Sequence, residues 1–285
     1  MSPKWEKTMG EGCMKLTVLM DNHTYIDEYY LGEPAVSYLI EDGERTILFD
    51  VGYSEAFIEN ARRMEIDLGR VTDIVLSHGH IDHTGGLPAF FKAFTQPVRL
   101  TAHPGAFWPK RYEGMDAGSP IQLAALPKQV EVNLTEQPVQ ISENILYLGE
   151  IPRRFAFEMD RAVGETCACC GAEWMEDALS DDTAVALSVP EGTFVVTGCA
   201  HSGVCNTVAA AKALLPGKPI AGVFGGFHLF DAGDVLDQTI QTLQKQGADM
   251  VFPCHCTSLK VKCAFCEAFH TQEVGVGMEL SWQAD

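Results

Sequence analysis

Apolar residues fall along the chain in short continuous runs, rich in β-branched types and ended by polar or glycine-containing turns. Such runs predict strands with both faces covered. In the first half they occupy residues 15–20, 35–41, 46–50, 73–77 and 98–102. In the second half they occupy 183–189, 193–198, 220–225, 249–253 and 275–282. Helical spacing of apolar positions predicts helices over 55–64, 87–94, 204–215, 235–246 and 258–269. The first three strands follow in near succession, as in a meander, and the second half alternates strand with helix. This α/β order suggests a pair of sheets with helices outside, not one doubly wound sheet.

Two stretches break the pattern. Residues 1–13 are polar and aperiodic and read as an N-terminal extension before a single domain over 14–285. Residues 152–182 carry charges, aromatics and three clustered cysteines without a clear period. Loops that long inside a compact domain are usually lids or contact surfaces, so an insertion of that kind is expected, with a pair of helices as the other reading.

Charge narrows the partners. Lysine and arginine number 20 against 39 acids, a formal net charge of −19, which disfavours phosphate backbones and anionic lipid surfaces. A small-molecule partner is therefore expected, with no nucleic acid and no membrane, and self-association into a homo-oligomer stays open. The start of the chain has no apolar run suited to a secretory signal. The expected location is cytoplasmic, where the ten cysteines read as core residues, metal ligands or redox groups before disulfides.

The densest chemistry lies in "SHGHIDHTGG", residues 77–86, directly after a buried strand. His78 and His80, two apart on an extended segment, can face one cation. Asp82 and His83 turn into the following helix and can face a second. Gly85 and Gly86 permit the tight turn between them and that helix. Imidazole and carboxylate donors suit zinc, iron or manganese. Further donors end three later strands: Cys199 and His201 in "TFVVTGCAHSG", His228 in "AGVFGGFH" and His255 in "MVFPCHCT". Ser202 can cap the helix that follows it and leave backbone N–H groups open to a substrate anion. Asn22 can line the pocket, and His103 reads as a polar residue at a strand–helix turn. The cysteines 167, 169 and 170, with Cys263 and Cys266, have spacings that fit a second metal site, although the last two also read as small buried helix residues.

The H-x-H-x-D-H pattern after a strand, the "ILFDVG" ahead of it and the strand-end donors resemble the metallo-β-lactamase superfamily. The segments "TVLMDNHT", "LFDVGYSEAFIENARRM", "VVTGCAHSGVCNT", "GGFHLF" and "HCT" are similar to its dihydropteroate-synthase-like branch. That branch carries the name 7,8-dihydropterin-6-yl-methyl-4-(β-D-ribofuranosyl)aminobenzene 5′-phosphate synthase. The resemblance runs from Lys15 nearly to the end.

It implies a four-layer αβ/βα sandwich with two divalent metal ions in the cleft between the sheets, zinc first, with iron or manganese as alternatives. His78 and His80 would serve one ion, and Asp82, His83 and His255 the other, with Asp82 also orienting an activated water. The implied function is hydrolysis of, or transfer at, a small anionic substrate of phosphorylated or pterin-related kind. An iron-dependent redox or oxygen-handling protein, or a non-catalytic metal sensor, is the alternative. Two departures stand out. No "TPGHTPGH"-like segment supplies a further histidine, and "ALSDDTAV" puts Asp181 or Asp182 near that place. "TGC" also replaces the usual "TGD", so Cys199 stands where a bridging aspartate is expected. Whether Cys199 or His201 completes the first set is left open by the sequence.

Overall fold

The computed structural model describes residues 13–158, 162–168 and 173–283. The expected N-terminal extension, apart from Cys13, lies outside the described residues, as do Cys169 and Cys170.

In chain order the first strands are β1 (Cys13–Met20), β2 (Ser37–Asp42), β3 (Arg45–Phe49), β4 (Asp73–Val75) and β5 (Val98–Ala102). Short strands follow: β6 (Lys110–Tyr112), β7 (Met115–Asp116), β8 (Val130–Leu134), β9 (Val139–Gln140), β10 (Ile145–Tyr147), β11 (Glu165–Thr166) and β12 (Met175–Glu176). The last are β13 (Ala184–Val189), β14 (Gly192–Thr197), β15 (Ile220–Gly226), β16 (Met250–Cys254) and β17 (Glu279–Gln283). The helices are α1 (Ala56–Arg63), α2 (Ile81–Thr84), α3 (Leu87–Ala93), α4 (Val204–Leu214), α5 (Asp234–Gln246) and α6 (Leu259–Ala268).

One sheet runs in the order β17-β1-β2-β3-β4-β5-β8, and a second in the order β16-β15-β14-β13-β10-β9. Strand alternation explains how they pack. Tyr38 and Ile40 of β2 join a core shared with Val185 and Leu187 of β13, while Leu39 between them packs outward with Phe57 and Phe90. Phe194 and Val196 of β14 face the same inner core, and Val195 faces outward with Val204 and Val208 of α4. Each sheet thus buries both faces: one against the other sheet, one against helices. The result is the expected helix–sheet–sheet–helix sandwich. An aromatic contact joins the two inner faces, the Phe224 ring lying 5.1 Å from that of Tyr38, and Phe252 of the neighbouring strand packs 5.9 Å from Phe224.

Neighbouring strands run parallel from β3 through β4 to β5, and from β14 through β15 to β16. Their carboxyl ends open on one edge of the sandwich, where α/β folds collect ligands. Beside that edge lies a small sheet, β12-β11-β6-β7. Within 152–182 the described residues form β11, β12 and a 3₁₀ turn at Ala156–Glu158, so the helix-pair reading is corrected to short antiparallel strands. An isolated bridge from His80 to Gly118, with Ile81 N–H donating to Ala117 O at 2.8 Å, holds the connection after β7 against the histidine-rich turn.

Phe224→Ala should empty the centre of the sheet–sheet contact and cost about 3–5 kcal/mol. Denaturant titration checks this; a loss below about 1 kcal/mol would show that the sheets do not depend on that ring.

Candidate metal centre

β4 ends at Val75, and the chain then passes through Ser77 and His78 to His80, the residue before α2. Gly85 and Gly86 form the turn between α2 and α3, as expected, and a Cβ would stand 2.2 Å from Tyr53 O at Gly85 and 2.1 Å from Val51 O at Gly86. They therefore also permit the close approach of two backbones. Four strand ends carry a non-glycine residue in the left-handed region: Asp50 (φ 55°), Ala200 (φ 52°), His228 (φ 48°) and His255 (φ 46°). Such conformations cost free energy and cluster at functional sites. Here they turn the chain sharply at the edge.

Two donor sets meet in the crevice. Asp82, His83, Cys199 and His255 each place a donor atom within 4.8 Å of the others, and His78, Cys199 and His201 do the same. Cys199 belongs to both. His83 Nε2 lies 3.2 Å from Cys199 Sγ and 3.4 Å from Asp82 Oδ2. His255 Nε2 lies 3.3 Å from the same carboxylate oxygen. His80 stands beside the second set, its Nδ1 3.1 Å from His78 Nε2 and its ring 5.1 Å from that of His201.

Outer partners orient these rings. Asp50 Oδ2 lies 2.6 Å from His83 Nδ1 and accepts the Ser77 hydroxyl at 2.6 Å. Asn22 Oδ1 lies 2.8 Å from His255 Nδ1, and Asp21 accepts the His255 backbone N–H. Acceptors on Nδ1 place the proton there and leave Nε2 free to face the crevice.

Electrostatics favours neutral imidazoles on one side and a charged pair on the other. Burial, reinforced by neighbouring histidines, drives His78 and His201 well below the ordinary histidine value, and burial brings His80 to about 4. Burial opposes charge on His83 too, but the Asp82 and Asp50 carboxylates outweigh it and raise His83 well above its usual value. Asp82 is held ionised by His83 and His255 against the same burial. Burial pushes the Cys199 thiol up, and its hydrogen bond to Cys256 adds to that.

The donor groups fit a divalent cation. Buried ring nitrogens without a hydrogen-bond partner are rare and costly, yet the described residues include both nitrogens of His201, His255 Nε2 and His228 Nδ1. Imidazole, carboxylate and thiol in this arrangement are the donors that zinc prefers.

The remaining expected residues separate. Cys199 and His201 were alternatives in the sequence; the structure brings both to His78. Neither aspartate of "ALSDDTAV" is close enough to share a cation there. Asp181 accepts Gly79 N–H at 2.8 Å and Lys110 Nζ at 3.0 Å, and Asp182 accepts Ser202 N–H at 2.8 Å. The anion site expected beside Ser202 is already filled: the buried Glu158 carboxylate accepts Cys205 and Asn206 N–H at 3.0 and 2.9 Å. Ser202 does not cap α4, whose preceding residue is Gly203. His103 fulfils its turn role, Nδ1 accepting Gly105 N–H at 3.0 Å. Cys263 and Cys266 are exposed on α6, not buried, and no donor group found among the described residues joins them to Cys167. Sequence reasoning passed over Asp50 and Cys256. Asp50 had a signal, since it is the acid of "ILFDVG".

The family model described as the metallo-beta-lactamase superfamily matches residues 31–255, and the chain belongs to that superfamily. Within it, the chain is 31% identical over 249 residues to an uncharacterized protein, MJ0448, of Methanocaldococcus jannaschii, covering 86% of this chain and 91% of that one. It is 29% identical over 272 residues to the 7,8-dihydropterin-6-methyl-4-(beta-D-ribofuranosyl)-aminobenzene-5′-phosphate synthase of the same organism, covering 90% and 92%. Among solved structures it is similar to Tm1679, described as a metal-dependent hydrolase of the beta-lactamase superfamily. The TM-score is 0.80 and the identity 26%, over 95% of this chain and all of that one.

Lys110 makes a sharp test of the frame behind the centre. Its ammonium is buried between Asp177 Oδ2 at 2.6 Å and Asp181 Oδ1 at 3.0 Å. Burial works against ionised Asp181, but Lys110 overcomes it and holds the carboxyl below its ordinary 3.8. A depressed carboxyl stabilises the fold above its unfolded pKa and loses that contribution as pH falls through the folded value. Lys110→Met should cost about 3–5 kcal/mol at neutral pH. The gap should narrow on acidification below about pH 4, because protonation then relieves the unpaired carboxylates. Denaturation midpoints across pH check this; a constant gap would contradict it.

Proposed function

We propose that the chain is a metal-dependent enzyme that hydrolyses, or transfers a group at, a small anionic substrate of phosphorylated or pterin-related kind. The observation that carries this reading is the pair of donor sets sharing Cys199, with unpartnered imidazole nitrogens aimed between them. In this reading one cation is held by His78, His201 and Cys199 with His80 alongside, and the other by Asp82, His83, His255 and Cys199. Zinc suits the mixed thiolate and imidazole donors, with iron or manganese less favoured by the sulfur. Such cations supply Lewis acidity and lower the pKa of water.

The protein's own groups do the rest. Asp82 is the one partly exposed acid of the centre, and its carboxylate, beside His83 and His255, would both take a cation and orient an attacking water. Asn22 and Asp50 hold the ring tautomers of His255 and His83. A cleft of about 410 Å³ opens over His80, Asp82 and His228, bordered by Tyr112, Val163 and Phe230. The small sheet carrying Tyr112 serves as its lid. Since the chain is strongly acidic, an anionic substrate would be drawn by the cations and not by the protein surface.

The name of the relative at 29% identity supports a pterin-related substrate. That of the solved structure at 26% supports hydrolysis. Buried cysteines outside any disulfide, such as Cys199 and Cys254, suit a reducing cytoplasm, and no helix among the described residues is long and apolar enough to cross a membrane.

Metal analysis of anaerobically purified protein, followed by a screen of phosphodiesters, lactones, thioesters and pterin phosphates, tests this. His255→Ala should lose metal and turnover together, and Asn22→Ala should weaken metal binding by about 10–100-fold. Full metal content in both His255→Ala and His201→Ala would overturn the reading.

A further inference from the structure

Cys199 belongs to a third donor set that the superfamily motif does not include. Its Sγ, an imidazole nitrogen of His228 and the Sγ of Cys256 lie within 4.8 Å of one another. Three parallel neighbours supply them: β14 leads to Cys199, β15 to His228 and β16 to Cys256. The backbone is shaped for this meeting. At Gly226 a Cβ would stand 2.4 Å from Gly198 O and 2.7 Å from Cys256 Sγ, so only glycine lets the loops close. His228 and His255 on either side hold left-handed φ values of 48° and 46°.

We propose that Cys199, His228 and Cys256 form a further, sulfur-rich cation position beside the two donor sets of the proposed catalytic centre. Two thiolates and one imidazole with an open fourth place are a known zinc geometry, and sulfur selects soft or borderline cations over magnesium or manganese. The His228 backbone N–H already donates to Cys256 Sγ at 3.2 Å, a bond that supports thiolate character. His228 Nδ1 is buried without a hydrogen-bond partner, and His228 borders the cleft, which gives a cation a way in. Because Cys199 is common to all three sets, a soft cation bound here shares the sulfur that joins the other two. The position therefore makes the centre sensitive to the identity of the metal supplied.

The test is anaerobic titration of metal-free protein with Co²⁺, read by the thiolate-to-cobalt charge-transfer absorption and by bound metal after gel filtration. Cys256→Ser and, separately, His228→Gln should each bind about one equivalent less than the wild type, and Cys256→Ser should lose about half of the charge-transfer intensity. Cys263→Ser, an exposed thiol on α6, should change neither. Thiol counting on the loaded protein excludes a Cys199–Cys256 disulfide as the cause. Equal stoichiometry and equal charge transfer in wild type, Cys256→Ser and His228→Gln would overturn the position while leaving the catalytic reading intact. Failure of the wild type to bind cobalt at all would overturn both. A Cys199–Cys256 disulfide in the anaerobic protein would overturn this position and would also take Cys199 out of the other two sets.

Discussion

The face-to-face packing of the two sheets fixes where every donor can sit. Inner residues such as Tyr38, Phe224 and Val185 interlock, and that contact sets the carboxyl ends of β3 and β4 opposite those of β14, β15 and β16. The loops then have almost no freedom. Thr183 N–H donates to Ser77 O at 2.8 Å, and a Cβ on Gly198 would strike the Ser77 hydroxyl at 2.1 Å. The left-handed residues at the strand ends are the conformational cost of that closeness, held by rigid strands behind them.

Within this frame Cys199 is the hinge of the chemistry. It stands where the superfamily resemblance leads one to expect an aspartate, and it touches both donor sets. A thiolate is softer than a carboxylate and, in the reading proposed above, shifts metal preference towards zinc-like ions. The surrounding acids stay clear of it. Asp50 is spent on Ser77 and His83, Asp181 on Gly79 and Lys110, and Asp182 on Ser202. They shape the pocket by fixing backbone and rings, which leaves Asp82 as the acid facing the cleft.

Much of this was legible in the chain, for identifiable reasons. Strands buried on both faces must be continuous apolar runs, so β1 to β5 and β13 to β16 could be read with only small shifts at their ends. The strands β6, β7, β9, β11 and β12 are two or three residues long and partly exposed, too short for any period to show. The histidine-rich turn announced itself by density. Choosing between Cys199 and His201 required tertiary structure, since only packing shows that both reach His78. Ser202 misled because its helix is served by Glu158, far upstream in an aperiodic segment. Nothing local to Cys256 reveals that its sulfur turns towards Cys199.

The central claim, that Cys199 joins two cation positions, is tested most directly by anomalous diffraction from zinc-loaded crystals. Apart from any peak at Cys256, the account predicts two zinc peaks each about 2.3 Å from Cys199 Sγ, one about 2.0–2.1 Å from His78 and His201 nitrogens and one equally close to His83 and His255. A zinc-loaded crystal with no peak near Cys199, or with both ions bound without its sulfur, would contradict it.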